Sequence, residues 1–508
     1  MSTLTAPPAT AAQPRAAGPR RFASVVALAR FEARELALQI PVAAVTVLWI
    51  VLTVLRLTRE EGMDDFPVLF MADRDTQDFP QLLALAVLIS VNTGVLRGHR
   101  DKTVEQFSML PLEPWRRTLG HVLSIVPFAL FTAVAVGVDF AFSALKPGAV
   151  GSGSVGELLV GPLTVMFAGI IGILLAGLWP LTLVPVMLAV VAYLTLVGSV
   201  ALTGDWSQWF SPVVGDTGGG IPNPSNLLGR PAGWHALYLA ALCVLLACVA
   251  LLVKGGRTTA LKAAAVLALA VTVAAAFGQR PVDGTALAEA RRTVSEHPEK
   301  VQSCEERGGS TYCSFPEWNG QRARWAQVVD RVRAASGSTA PLTVRQRIDV
   351  TGGIERDAAL EPQTGAGQVT IGTRWGGNHV PEFAVGVASV LVAGTEGAAS
   401  ENLCGARGVT VMWLTLAGDP TPEDTFKALR IDDSNVGSGI VRAPTDSFGL
   451  TARQTDVVNS VLDRPAAEVT AAVKAHWSEL TSPRTTTADA ARLLGVEVPK
   501  GADTCNEH

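Results

Sequence analysis

The chain is poor in aromatic and in charged residues: 6% Phe, Trp and Tyr, with only 3 tyrosines, and 17% Asp, Glu, Lys and Arg in 508 positions. Its 41 basic and 45 acidic residues give a net charge of −4, which excludes the basic surface that a nucleic-acid partner requires. The phosphate-cradling pattern Gly-x-x-x-x-Gly-Lys-Ser/Thr is absent, so no nucleotide site of its own is expected. A Gly151-x-Gly153-x-x-Gly156 match lies in a short connector with no strand before it, which argues against dinucleotide binding. The zinc-peptidase pattern His-Glu-x-x-His is also missing. Its nearest approximation, His379 with Glu382, lacks a second helical histidine, so capping and surface roles explain both residues and no metal site is expected. Residues 1–21, rich in Ala, Pro and Arg, have no apolar core that a signal peptidase would read, which makes the first apolar stretch an uncleaved anchor.

What the chain has instead is long apolar runs. A hydrophobic content of 48% averages an apolar half and an ordinary polar half. A bilayer core about 30 Å thick takes roughly 20 apolar residues per helix, and hydrocarbon leaves the backbone no partner outside a helix. Seven stretches qualify: Leu38 to Leu57, Pro80 to Leu96, Leu119 to Leu145, Leu158 to Trp179, Pro180 to Leu202, Trp234 to Val253 and Thr258 to Phe277. The second is short, and Trp179-Pro180 divides the fourth from the fifth only thinly. Merging those two into one broken helix would give six spans and invert everything after it.

Lysine and arginine near span ends stay on the cytoplasmic side. Arg15, Arg20, Arg21, Arg30 and Arg34 precede the first span; Arg97, Arg100, Lys102, Arg116 and Arg117 fill the loop from span two to span three; Lys254, Arg257 and Lys262 join the last two. The acidic loop after span one, the connector Lys146 to Glu157, and the stretch Thr203 to Gly233 carry few basic residues and read as external. Seven spans that start inside end outside, which places residues 279–508 beyond the membrane. Cysteine usage agrees, because disulfides persist in oxidising compartments. Cys304, Cys313, Cys404 and Cys505 all follow the last span, and of their three possible pairings Cys304–Cys313 with Cys404–Cys505 is the most economical. Cys243 and Cys248 sit inside an apolar span as small fillers.

Residues 22–37 alternate Val25, Val26, Leu28 and Phe31 with Arg30, Glu32, Arg34 and Glu35. This is the pattern of an amphipathic helix in the inner interface, or equally of a cytoplasmic extension of span one. In the basic loop, Thr103 and Gln106 have capping-box spacing, Val104, Phe107 and Leu110 share one face of a short helix, Pro111 stops it, and Pro114 favours a new start. A short apolar-faced helix on a cytoplasmic loop needs a groove to bury it. Here the chain resembles the type 2 permeases of ATP-binding-cassette exporters. In that family an interfacial elbow helix precedes span one, and a cytoplasmic helix between spans two and three docks on a separate ATPase.

The resemblance covers residues 22 to 255 and rests on layout plus a loose motif: Arg97 or Arg100, Glu105, Leu110-Pro111, Arg116 and Gly120. It implies ATPase coupling through Arg97, Arg100, Val104, Glu105, Phe107, Leu110 and Pro111. It also implies an ATPase partner that binds the ATP, and a second permease copy or relative. The seventh span and the tail depart from the six-span pattern. The bland reading of the arginines is that they only set topology.

Asp139, within Ala-Val-Gly-Val-Asp-Phe-Ala-Phe of the third span, is either a transport-path residue or a group at the outer interface if that span ends early. Asn92 and His121 are near span ends, and Gly169, Gly172 and Gly177 suit close helix packing. The tail is long enough for its own core. Helical spacing marks Glu317 to Ala335, Pro381 to Ala393, Leu403 to Leu416, Thr451 to Leu462 with a Thr451/Gln454 capping box, and a helix from Pro465 to Leu480. Leu342 to Val350 and Val369 to Thr373 alternate as strands.

The expected fold is a polytopic α-helical membrane domain of six to seven spans followed by a mainly helical α+β extracytoplasmic domain. Its parts are a cytoplasmic tail (1–21), an interfacial helix (22–37), a permease domain (38–278) and an external domain (279–508). The expected function is a permease subunit in the plasma membrane with no cofactor and no catalysis of its own. A membrane-anchored sensor or binding protein is the alternative, and a membrane-bound peptidase is third.

Overall fold

The computed structural model describes residues 19–58, 67–102, 113–181, 183–191, 222–227, 229, 231–279, 284–351, 360–377, 379–401, 403–432 and 438–500. Among the described residues, five helices are long and apolar enough to cross a membrane: Leu69–Val95, Pro114–Ala144, Val155–Leu178, Ala232–Val253 and Thr259–Gly278. A bent pair, Phe22–Ala37 with Ile40–Leu55, makes a sixth if counted as one span. Boundaries move from those expected. The second span starts at Asp78, shortly after a short helix Leu69–Asp75 in the acidic loop read as external. The third begins at Pro114, because proline fits the first helical turn, where its missing N–H is no loss. Of the expected fifth span, only 183–191 among its later residues is described, helical from 184.

Neighbouring contacts fix the sense of each helix. Gln77 Nε2 donates to Glu157 Oε2 at 2.7 Å, and Asn92 Nδ2 donates to the Gly172 carbonyl at 3.1 Å. The helices ending at Val95 and Leu178 therefore run parallel. A Cβ at Gly156 would sit 2.7 Å from Ala232, and one at Gly177 would sit 3.3 Å from Lys254 Cε, so Ala232–Val253 runs the same way. Gly169 packs on Ile125 and Gly161 near Val136, which makes Pro114–Ala144 antiparallel to them, and Gly278 against Trp234 does the same for Thr259–Gly278. Leu178 and Ala232 consequently lie at opposite ends of the bundle.

The described residues of the C-terminal region form two sheets. In the first, order β1-β2-β3-β4, β1 (Ser303–Arg307) and β2 (Ser310–Ser314) form a hairpin, while β2 pairs parallel with β3 (Thr343–Gln346) and β3 with β4 (Gln368–Ile371). Gly308 and Gly309, at φ 54° and 73°, turn the hairpin in a conformation that costs glycine little. Helix Arg322–Ser336 crosses between β2 and β3 and ends at Gly337, whose φ of 74° is the left-handed stop that glycine favours. β5 (Arg430–Asp432), β6 (Gly439–Val441) and β7 (Phe448–Leu450) make an antiparallel meander. Helix Ala406–Leu416 is buried on every side, as its apolar sequence requires.

The Thr451/Gln454 capping box is present. The helix expected over 465–480 divides instead into Ala466–Ala475 and Trp477–Leu480, with His476 outside helical geometry at φ −112°. The strand expected over 342–350 shortens to Thr343–Gln346; its neighbour β4 ends at Ile371, opposite Gln346, and the ladder closes with the Arg347 amide donating to the Ile371 carbonyl at 2.8 Å. The segment from Glu317 begins as a 3-10 turn and becomes α-helical only at Arg322.

This region is docked on one end of the bundle. Phe70 meets Trp318 edge-on at 6.2 Å between ring centroids, and Val68, Phe70, Val150 and Leu227 belong to the same apolar core as Trp318 and Trp325. Gln321 Nε2 donates to the Gly148 carbonyl at 2.5 Å, and Arg291 donates to the Leu227 carbonyl at 2.9 Å. The connectors before Leu69, after Ala144 and before Ala232 thus share the tail's end of the bundle. Arg97, Arg100, Arg116, Lys254 and Arg257 lie toward the other end.

Candidate functional site at the far end of the bundle

Opposite the tail, three elements meet. Helix Pro19–Ala37 bends by 68° from the helix after it, with Leu38 and Gln39 out of helical geometry, so it is no straight extension of the first span. Val25, Ala29 and Leu36 are buried along one stripe of it, and a Cβ at Gly120 would sit 2.8 Å from Leu28, so it lies close against Pro114–Ala144. On that face Glu32 Oε2 sits 3.5 Å from Arg97 Nη2 and 3.9 Å from His121 Nδ1. A small void, lined also by Leu36, Gln39, Ser90 and Ser124, adjoins the cluster.

Arg97 therefore stands at the root of the basic loop and is tied to the bent helix. The helix continues through Arg97–Arg100, and Lys102, at φ 54°, takes the left-handed conformation that ends it. Among the described residues Arg100 pairs at 3.3 Å with its neighbour Asp101, and it is exposed. On the other side of the loop Glu113 accepts from Trp115 Nε1 at 2.7 Å and Arg116 Nε at 2.9 Å, which steadies the start at Pro114. Val104, Glu105, Phe107, Leu110 and Pro111 lie outside the described residues.

Asp139 is half-buried on Pro114–Ala144, five residues before that helix ends at the tail side. The helix does not stop early; at 31 residues it is about 46 Å long, which exceeds the hydrocarbon core and leaves Asp139 near the tail-side end. It does not join Arg97. Asn92, by contrast, is fully buried, bonded to the Gly172 carbonyl.

Cys304 and Cys313 are disulfide-bonded directly across β1 and β2. Cys404 is also disulfide-bonded, and Cys505 lies outside the described residues. Cys243 and Cys248 are buried free thiols. His379 Nδ1 stands 2.8 Å from Glu382 Oε2, and among the described residues no group of three metal-binding side chains comes together.

Sequence reading did not identify the Glu32–Arg97–His121 cluster. Each residue is visible as a charge or a span-end histidine, but their meeting depends on the 68° bend, for which only the polar Gln39 before Pro41 is a local signal. Comparison of the chain with protein-family models, curated proteins and solved structures finds no match in any of the three.

Proposed function

We propose that the chain is the membrane-spanning permease subunit of an ATP-binding-cassette transporter, an exporter, coupled to a separate ATPase through residues 97–118. The observation carrying this reading is the link at the far end: the helix before the first span, the root of the basic loop and the start of the third helix are joined through Glu32, Arg97 and His121. A push on the loop would reach Arg97, and through Glu32 the bent helix, while Asn92 and Gly172 bind the second span to the parallel fourth. Such transmission needs packed elements, and helix Pro19–Ala37 lies packed against Pro114–Ala144.

In this reading Pro180 to Leu202 is a crossing, because the chain must return from the end at Leu178 to the end at Ala232 and this is the apolar stretch between them. The span count is then seven. With the arginine-rich end cytoplasmic, the disulfide-bonded region lies outside the plasma membrane. This reading assigns the ATPase contact to Val104, Glu105, Phe107 and Leu110, which lie outside the described residues, and Asp139 to the outer part of the path in a complex with a second permease copy or relative.

The test is to purify the tagged chain from its native membrane in mild detergent and in lipid nanodiscs, identify what accompanies it, and measure ATP hydrolysis. A stoichiometric cassette ATPase whose hydrolysis is uncoupled from transport by E105A or F107A supports the proposal. A preparation free of ATPase in both environments refutes it. A second reading, a membrane-anchored binding protein, is favoured by one observation: the tail contains a cleft of about 270 Å³ lined by both polar and apolar side chains.

A further inference from the structure

Helix Pro19–Ala37 has two unlike sides. Val25, Ala29 and Leu36 are buried toward the bundle. With 3.6 residues per turn, Ala27, Arg30, Phe31 and Arg34 fall on the opposite side, and all four are exposed. Leu38, at the bend, is exposed too. This outer side therefore carries two guanidinium groups among apolar side chains.

Nothing nearby in the sequence balances that charge. Of the helix's two acids, Glu32 is taken by Arg97 and His121, and Glu35 is half-buried, about 100° round the helix from Arg34. Among the described residues no carboxylate pairs with Arg30 or Arg34. The chain before Glu32 holds four arginines and no acidic residue, so it adds charge of the same sign.

The level of the two arginines in a bilayer follows from what succeeds them. From Leu38 and Ile40 onward the exposed side chains are apolar, including Val47, Leu48, Val51 and Leu55 of helix Ile40–Thr58, a surface that hydrocarbon covers. Arg34 lies four residues before Leu38, about 6 Å along a helix, which matches a headgroup layer about 5–8 Å thick. With the next helix along the bilayer normal, the 68° bend makes Arg30 and Arg34 differ in depth by only about 2 Å. Both reach the same layer.

We infer that this outer side is a docking surface for anionic phospholipids, with Arg30 and Arg34 on the headgroup phosphates and Phe31 and Leu38 at the acyl boundary. A zwitterionic headgroup brings its own ammonium beside the guanidinium groups, whereas an anionic one leaves net negative charge to complement them. A second copy docked symmetrically would set arginine against arginine, which opposes pairing through this face. The inference requires only that the apolar helices lie in a membrane, so it stands or falls independently of any ATPase. It also gives the bent helix two attachments: lipid charge on its outer side and, through Glu32, the loop root at Arg97 on its inner side.

The test places the full chain carrying F31W in nanodiscs of phosphatidylcholine with a minor share of phosphatidylglycerol, one or the other lipid being brominated. The same discs holding the chain without F31W provide the emission of the native tryptophans for subtraction. Quenching by brominated phosphatidylglycerol above its share of the bilayer is expected, with enrichment falling about fivefold for each arginine lost in R30Q and R34Q. The R30K/R34K chain should keep the enrichment, which separates lost charge from lost folding. R257Q, an exposed position at the same end of the bundle, should leave it unchanged. Quenching in simple proportion to bilayer composition overturns the surface, as does enrichment that survives R30Q/R34Q or disappears equally in R30K/R34K. So does an A27C chain that oxidises to a disulfide-linked dimer in its native membrane, since a second copy would then cover this side.

Discussion

Replacing Gly172 by alanine tests the packing on which the parallel second and fourth spans rest. The new Cβ would sit 2.6 Å from the Leu88 carbonyl oxygen and 3.4 Å from the Asn92 amide nitrogen. Comfortable heavy-atom contact lies about 3.5–4.0 Å apart, so the helices must separate by most of an ångström. Both obstacles are backbone, so no side chain can rotate away. Overpacking of this kind costs about 1–3 kcal/mol. The separation also stretches the 3.1 Å bond from Asn92 to the Gly172 carbonyl, worth about 0.6 kcal/mol inside a membrane. The expected loss is about 2–3 kcal/mol, set against a gain below 1 kcal/mol from alanine's helix propensity. Reversible unfolding in mixed micelles measures it. G94A is the control, because nothing lies within 4 Å of a Cβ there, and it should be neutral or slightly stabilising. If G172A unfolds within about 0.5 kcal/mol of the wild type, the close approach is wrong.

Four further outcomes are expected. Glu396 is buried, and that burial raises its pKa above the usual 4.5, against hydrogen bonds from Thr370 and Gln363 and the nearby Arg347 charge, which lower it. With the folded value raised, this group's contribution to stability is complete below 4.5 and fades as pH rises through the folded value; E396Q should flatten that segment of the pH–stability curve, and an unchanged curve would refute the assignment. Because its carboxylate accepts from Thr370 N, Thr370 Oγ1 and Gln363 N, E396Q should also cost about 1–3 kcal/mol at neutral pH by chemical denaturation.

The C304S/C313S chain should lose up to about 2.7 kcal/mol, the loop-closure value for residues 9 apart in sequence, and less where the hairpin register persists without the bond; a thermal midpoint equal to wild type would show that the bond adds nothing. In a double-mutant cycle, E32Q and R97Q should couple by about 1 kcal/mol, since the side chains are only 14% and 32% exposed; additivity would mean that the bent helix and the loop root are not linked.

The apolar half was legible because a membrane helix must satisfy its own backbone, so length and hydropathy alone locate Ala232–Val253 and Thr259–Gly278 to within two residues of their expected bounds. The Thr451/Gln454 cap and the Cys304–Cys313 pair were likewise readable, since each is a local pattern closed by neighbours in sequence. Less was legible in the tail. The hairpin strands around Cys304 and Cys313 have five residues each and a weak alternation, and β5 to β7 have three residues each, too short to carry a period.

The sequence by itself determined where the chain is apolar, where positive charge collects, and which cysteines share the polar tail. Those are properties of single segments, and the physics that enforces them acts one residue at a time. Only the tertiary structure decided that Glu32 meets Arg97 and His121, that the Thr373 hydroxyl is buried with no partner among the described residues, and that Trp318 packs on Phe70. Each of these joins segments from 24 to 248 residues apart, or leaves a group unpaired because of how distant segments pack, and no local preference along the chain encodes such a meeting.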